Sequence, residues 1–316
     1  MSLVNPRTSD VIRFAALEEY AAGPKEYFAL LKPRVMSLVV LTALAGMLAA
    51  PGSLNPIVGF AALLAIAVGA GASGALNMWW DADIDIQMAR TRLRPVPAGL
   101  IGRNDALAFG LILSLLSVLT LAVVANFLAA ALLAFTIFFY VVIYTMWLKR
   151  TTPQNIVIGG AAGALPPIVG CAAASGHVTL DSVILFAIIF IWTPPHFWAL
   201  ALVKCRDYER AGVPMMPNVK GADHTRLEIL VYTLILAPLG ALPWLIGMAG
   251  AIYGAASVAL APPLLGLAWK VFRVREGVEA NKAAMRLFGF TIFYLFALFG
   301  IIVIERGFGL FARWSL

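Results

Sequence analysis

The sequence predicts an all-α polytopic membrane protein of nine transmembrane helices, with its N-terminus in the cytoplasm and its C-terminus outside. Composition is the first observation: of 316 residues, 62% are hydrophobic and 12% charged, with a mean hydropathy of +0.91, far from a soluble domain. The second is a series of apolar runs long enough to cross a bilayer, at 35–51, 56–78, 106–125, 127–147, 155–174, 182–203, 228–248, 250–270 and 284–304. The third is where the lysines and arginines stand. They precede the first run and follow runs two, four, six and eight, while the alternate loops Ala50-Pro51-Gly52-Ser53 and Ala125-Asn126 carry none. Only Arg306 and Arg313 lie beyond run nine. This asymmetry of 21 to 2 sets the orientation and requires an odd number of spans. The +7 net charge is therefore topology, and a nucleic-acid partner is excluded.

Each element follows in order. Residues 1–33 mix polar and apolar positions without a long apolar core, so no cleavable signal peptide is expected. Within them Tyr27-Phe28-Ala29-Leu30-Leu31, ahead of Lys32-Pro33-Arg34, reads as a short interfacial helix. Residues 34–305 form the nine-helix domain, and 306–316 a short outer tail. Runs two and five are rich in small residues, Gly69, Gly71 and Gly74, then Gly159, Gly160 and Gly163. Their commonest role is close helix packing, although small residues also leave room for a flat or chain-like ligand. Run four ends in Lys149-Arg150, and run six contains Trp192-Thr193-Pro194-Pro195-His196. His177 falls in the short outer loop 174–181 and His224 in an inner loop, where solvated roles are expected.

Chemistry is concentrated at the inner end of run two. Asn77, Asp81 and Asp85 recur every four residues, which on a helix places them within about an 80° arc and about 12 Å of rise. Arg90, Arg92 and Arg94 follow. Carboxylates that keep Mg²⁺ partly hydrated, with cations alongside, suit a diphosphate. Asp83 falls on the opposite face and reads as structural. A second polar cluster, Lys204 to Pro214, follows run six on the same side; Lys204 and Asp207 are three apart and share a helix face. Glu209 and Arg210 there read as a solvated ion-pairing surface. Cys171 and Cys205 occupy different parts of the fold, so no disulfide is expected. Neither a zinc or iron–sulfur spacing nor a nucleotide-binding glycine loop occurs.

The string Asn77, Asp81, Asp85, Arg90, Thr91, Arg94, Pro95 resembles the first signature of the UbiA-type intramembrane prenyltransferases. Within that family the chain is most similar to the branch that farnesylates heme. The similarity extends over Asn77–Asp85, Arg94–Gly99, Tyr144–Arg150, Asn155–Gly160, Trp192–Trp198 and Asp207–Pro217. Two departures from the wider family, Met78 directly after the asparagine and Ala211 four residues after Asp207, fit this branch. They also leave fewer carboxylates for a two-metal site.

The resemblance implies a nine-helix fold and a reaction. The farnesyl group of farnesyl diphosphate joins a vinyl group of heme B, water adds a hydroxyl, and heme O and diphosphate result. It implies Mg²⁺ on Asp81, Asp85, Asn77 and Asp207, and diphosphate contacts from Asn77, Arg94, Lys204, Lys149 and Arg150. Asp81, Asp85, Asp207 and Lys204 would carry the ionisation, in which the departing charge must be neutralised. His196 is an ionisable group at membrane depth and, with Trp198 and Tyr144, is a candidate for heme. Trp79, Trp80, Tyr144 and Trp198 are candidates to line a dry aromatic pocket for the allylic cation. The implied setting is a bacterial inner membrane with the site facing the cytoplasm and a downstream heme-modifying enzyme as partner. Prenylation of an aromatic quinone precursor explains the aspartates equally well. A cation-coupled transporter is the rival from another class, but its site belongs near the bilayer midplane, and an assembly factor leaves the aspartates without a purpose.

Overall fold

The structure is a computed structural model and describes residues 22–52 and 55–310. Arg7, Arg13, the chain before residue 22 and the tail 311–316 lie outside those residues. A short helix α1 (Pro24–Leu30) is followed by α2 (Pro33–Ala49), α3 (Pro56–Trp80), α4 (Arg103–Val124), α5 (Phe127–Thr151) and α6 (Asn155–Ser175). Then come α7 (Leu180–Val203), α8 (Ala222–Leu245), α9 (Ala251–Arg273) and α10 (Gly277–Gly307). Eight of these helices, α3 to α10, are long and apolar enough to cross a membrane; α1 and α2, bent by 54° at the break between them, make the ninth span when taken together. The chain is therefore a multi-pass helical membrane protein. No strand occurs among the described residues.

Neighbours in sequence pack as neighbours in space, and α10 returns onto α2 to close the circuit. Proline decides several boundaries. It opens α1, α2 and α3, where its missing N–H has no helical partner to lose. In α6 the pair Pro166-Pro167 separates two halves, Asn155–Ala164 and Pro166–Ser175. The first half packs on α7 and on the end of α5, and the second on α2. A Cβ at Gly170 would collide with the Ala43 carbonyl, and one at Gly46 with the Pro167 carbonyl. Those two glycines let the α2 and α6 backbones touch.

The predicted interfacial helix is present, but it does not simply lie on the membrane surface. Leu30 is fully buried and clusters with Ala75 and Met78 of α3. Leu31 lies against Gly71, and the Leu30 carbonyl with the Lys32 side chain lies against Gly74. Gly71 and Gly74 thus receive the α1–α2 elbow. Gly69 faces Ser117 and Leu133, Gly159 faces Tyr144, and Gly160 faces Thr193, while Gly163 meets nothing. Close packing is the role the structure gives all but one of the six.

Candidate active site

Three segments meet at one end of the bundle, the α1–α2 elbow, the end of α3 and the end of α5, and the chain after α7 is tied to the start of α6 through Asn155 and Pro214. Asn77 is 5% exposed and belongs to the last turn of α3. The helix does not continue through the aspartates, as their four-residue spacing suggests. It stops at Asp81 (φ −83°, ψ 7°), and a separate single turn spans Ala82–Asp85. The register nevertheless survives the break, because the Asp85 amide donates to the Asp81 carbonyl at 2.8 Å. Asp81 and Asp85 are accordingly both buried, at 0% and 2% exposure, while Asp83 faces solvent.

Buried carboxylates need partners, and the surrounding elements supply them. Lys149, from the end of α5, forms a very short ion pair with Asp81 Oδ2. Asn77 Nδ2 donates to the same oxygen at 2.8 Å and to Thr145 Oγ1 at 3.0 Å. Lys32, at the elbow, donates to Asn77 Oδ1 at 2.6 Å. Its backbone is left-handed (φ 52°), a strained conformation outside glycine, and it turns the side chain inward. On the other flank Arg94 pairs with Asp85 Oδ2 at 2.7 Å, and the buried Thr91 hydroxyl donates to the Asp85 carbonyl at 2.8 Å. These two bonds fold the arginine-rich loop back onto the aspartate turn.

The last part of α5, Phe139–Leu148, is a π-helix, a wide-turn form common at functional sites. It places Thr145 and Lys149 against α3, and the Tyr144 ring against Gly159 of α6. Arg150 is committed elsewhere. It grips Asp83 through two nitrogens at 2.8 Å, donates to the Trp80 carbonyl at 3.3 Å and reaches Asp81 Oδ1 only at 3.6 Å. That guanidinium holds the Asp83 carboxyl below its usual range. Asp83 is structural, as its face predicted, and Arg150 is a clamp on the Asp83 turn more than a free cation.

The second cluster is built differently from the helical face the sequence suggests. Lys204 is the non-helical hinge (φ −104°, ψ 19°) between α7 and a single turn, Cys205–Arg210. Asp207 is mostly buried and pairs with Arg210 at 3.3 Å. The segment is tied down by the buried Asn155, whose Nδ2 donates to the Thr152 carbonyl at 2.6 Å and reaches the Pro214 carbonyl at 3.4 Å. Among the described residues no three of His, Cys, Asp and Glu gather as a metal cluster.

The aromatic candidates divide. Tyr144 is half-buried beside Tyr140, with ring centroids 5.5 Å apart. Trp198 is fully buried, edge-to-face on Tyr232 of α8. It is a core residue between α7 and α8, and its buried indole N–H has no hydrogen-bond partner. His196 lies on α7 against α10. Trp79 and Trp80 pack on each other with centroids 5.6 Å apart. Lys32, Thr145 and Asn155 were not legible as site residues. A lysine at a membrane boundary reads as an anchor, and no local spacing links it to Asn77, 45 residues away.

A divalent cation fits the first cluster. Asp81 Oδ1 is buried and accepts no hydrogen bond, so a carboxylate oxygen stands ready at the centre of the site. Asp85 and the Asn77 amide flank it with oxygens of the hard type that Mg²⁺ prefers.

A model described as the UbiA prenyltransferase family matches residues 39–301. The chain is 70% identical over 286 residues to the protoheme IX farnesyltransferase of Beijerinckia indica, covering 90% of this chain and 89% of the relative. Among solved structures, a digeranylgeranylglyceryl phosphate synthase superposes with a TM-score of 0.72 at 15% identity, covering 89% of this chain and 98% of that one. A UbiA homolog from Archaeoglobus fulgidus bound to GPP and Mg²⁺ superposes with a TM-score of 0.62 at 18% identity, covering 88% and 99%. The two structures share this fold.

Proposed function

The chain belongs to the UbiA prenyltransferase family, and on that premise we propose that it transfers the farnesyl group of farnesyl diphosphate to a vinyl group of heme B. The bond between farnesyl C1 and the diphosphate oxygen breaks. A carbon–carbon bond forms to the vinyl terminus, water delivers its hydroxyl to the adjacent carbon with loss of a proton, and diphosphate leaves. The relative from Beijerinckia indica, a protoheme IX farnesyltransferase by name and 70% identical, supports the choice of acceptor. The observation that carries the chemistry is the buried Asn77–Asp81–Asp85 face ringed by Lys32, Arg94 and Lys149.

In this reading Asp81, Asp85, Asn77 and Asp207 would hold Mg²⁺, which would supply charge neutralisation to the departing diphosphate. Lys149, Arg94 and Lys32 bind and orient the diphosphate, and each exchanges a carboxylate or amide partner for a phosphate oxygen. Lys204, at its hinge, closes the site from the α7 side. Arg150 keeps the Asp83 turn in place, so Asp81 and Asp85 stay presented. Tyr144, between the cluster and α6, faces the allylic cation. The site belongs to the cytoplasmic side of a bacterial inner membrane, the domain runs over 34–305, and the product passes to a downstream heme-modifying enzyme.

A product assay tests the reading. Purified protein in detergent is given heme B, farnesyl diphosphate and Mg²⁺, with parallel tubes containing EDTA or the Asp81→Asn variant. Extracted hemes are separated and weighed by mass spectrometry. A heme heavier by one farnesyl and one hydroxyl, missing from both controls, is the expected product. Unchanged heme beside a prenylated aromatic acceptor overturns the heme assignment and keeps the family chemistry.

A further inference from the structure

His196 sits in an unusually determined environment. Its ring is stacked between Trp192 (centroids 4.3 Å apart, 16° between planes) and Phe288 (4.4 Å, 20°), with Phe197 edge-on at 5.0 Å. Nδ1 lies 2.9 Å from the Thr291 hydroxyl oxygen, and that hydroxyl donates its one hydrogen to the Phe288 carbonyl at 2.8 Å. Thr291 Oγ1 therefore accepts from Nδ1–H. Its carbonyl meanwhile accepts from the Trp192 indole at 2.7 Å. One residue of α10 thus holds both Trp192 and His196. Both faces of the imidazole are covered and Nδ1 carries the proton, so Nε2 holds a lone pair. Nε2 shows no hydrogen bond to another described residue, and His196 is 7% exposed.

A lone pair fixed in direction by a donor on the other ring nitrogen is how proteins present histidine to a metal. We infer that His196 Nε2 ligates the iron of the heme substrate and that Thr291 is the positioning residue that fixes its tautomer and aim. This rests on the farnesylation reading and deepens it. His196 lies eight residues before Lys204 on α7, hence about 12 Å of helix rise above the polar end of the bundle. The stacked Trp192 and Phe288 rings keep the imidazole from turning.

The test is heme binding, read without turnover. The full chain in detergent is titrated with heme B and the Soret band recorded. Wild type is expected to give the spectrum of a histidine-ligated heme. His196→Gln keeps an amide for Thr291 but offers iron no imidazole nitrogen, and is expected to lose that spectrum. Thr291→Val is expected to weaken heme affinity by about tenfold to a hundredfold and shift the band. It should raise KM for heme without raising KM for farnesyl diphosphate, and Thr291→Ser should restore all three. Folded His196→Gln protein with the wild-type band overturns the ligand. A Thr291→Val protein that matches wild type, or a Thr291→Ser protein that fails to rescue, overturns the positioning role. Wild type that makes no farnesylated heme in the product assay overturns the reading beneath both.

Discussion

Lys149→Met is the most informative perturbation of the cluster. Lys149 keeps 15% exposure and Asp81 none, so the pair is largely removed from water, and removing one member leaves a buried charge. Breaking such a pair costs about 3–5 kcal/mol. The lower end applies here, about 3 kcal/mol, because Asn77 still donates to Asp81 at 2.8 Å and Arg150 stands at 3.6 Å. Adding Asp81→Asn removes the stranded charge, and the double variant should recover to within about 1 kcal/mol of wild type. Activity should not recover, since one lost electrostatic contact to a leaving group is worth about 10²–10³ in turnover. Stability is read from unfolding in mixed micelles with EDTA present, and activity from heme product. Refutation comes from Lys149→Met protein as stable as wild type, or from two substitutions that merely add. Either result would mean that Asp81 is not held by Lys149.

Three further outcomes follow from other contacts. Lys32→Met removes the 2.6 Å bond to Asn77 and a cation from the site; KM for farnesyl diphosphate should rise about tenfold or more, at 1.5–3 kcal/mol for a charged hydrogen bond, while heme binding by the Soret titration stays put. Gly170→Ala drives a methyl into the Ala43 carbonyl and should cost about 1–3 kcal/mol or more, seen as lower yield of monodisperse protein, with Ala172→Gly as a control that removes a methyl. Asp83→Asn frees Arg150, but Asp83 is 53% exposed, so the stability loss should stay below about 1 kcal/mol. Because the folded Asp83 carboxyl lies below its usual range, that small contribution is full above about pH 4. It should fade only as pH falls further, leaving unfolding profiles of variant and wild type parallel from pH 6 to 8.

Much of this protein is legible in one dimension. Span count, spacing and the placement of basic residues follow from bilayer thickness and from the absence of water to satisfy backbone groups. The Asn77, Asp81 and Asp85 face was visible because four-residue spacing survives even a helix that stops at Asp81. Asp83 could be set aside on the same ground. What local spacing leaves open are contacts between distant segments: Trp198 packs edge-to-face on Tyr232, and Arg150 grips Asp83 while standing 3.6 Å from Asp81.

By itself the sequence determined the class of molecule and which aspartates share one buried face, since these depend on composition and local period. Only the tertiary structure decided which cation serves which carboxylate, brought Lys32 to Asn77 across 45 residues, and hung His196 and Trp192 on Thr291, 95 and 99 residues further along. Those pairings depend on how the helices pack, on the α1–α2 elbow and on the wide turn in α5, and no local spacing encodes them.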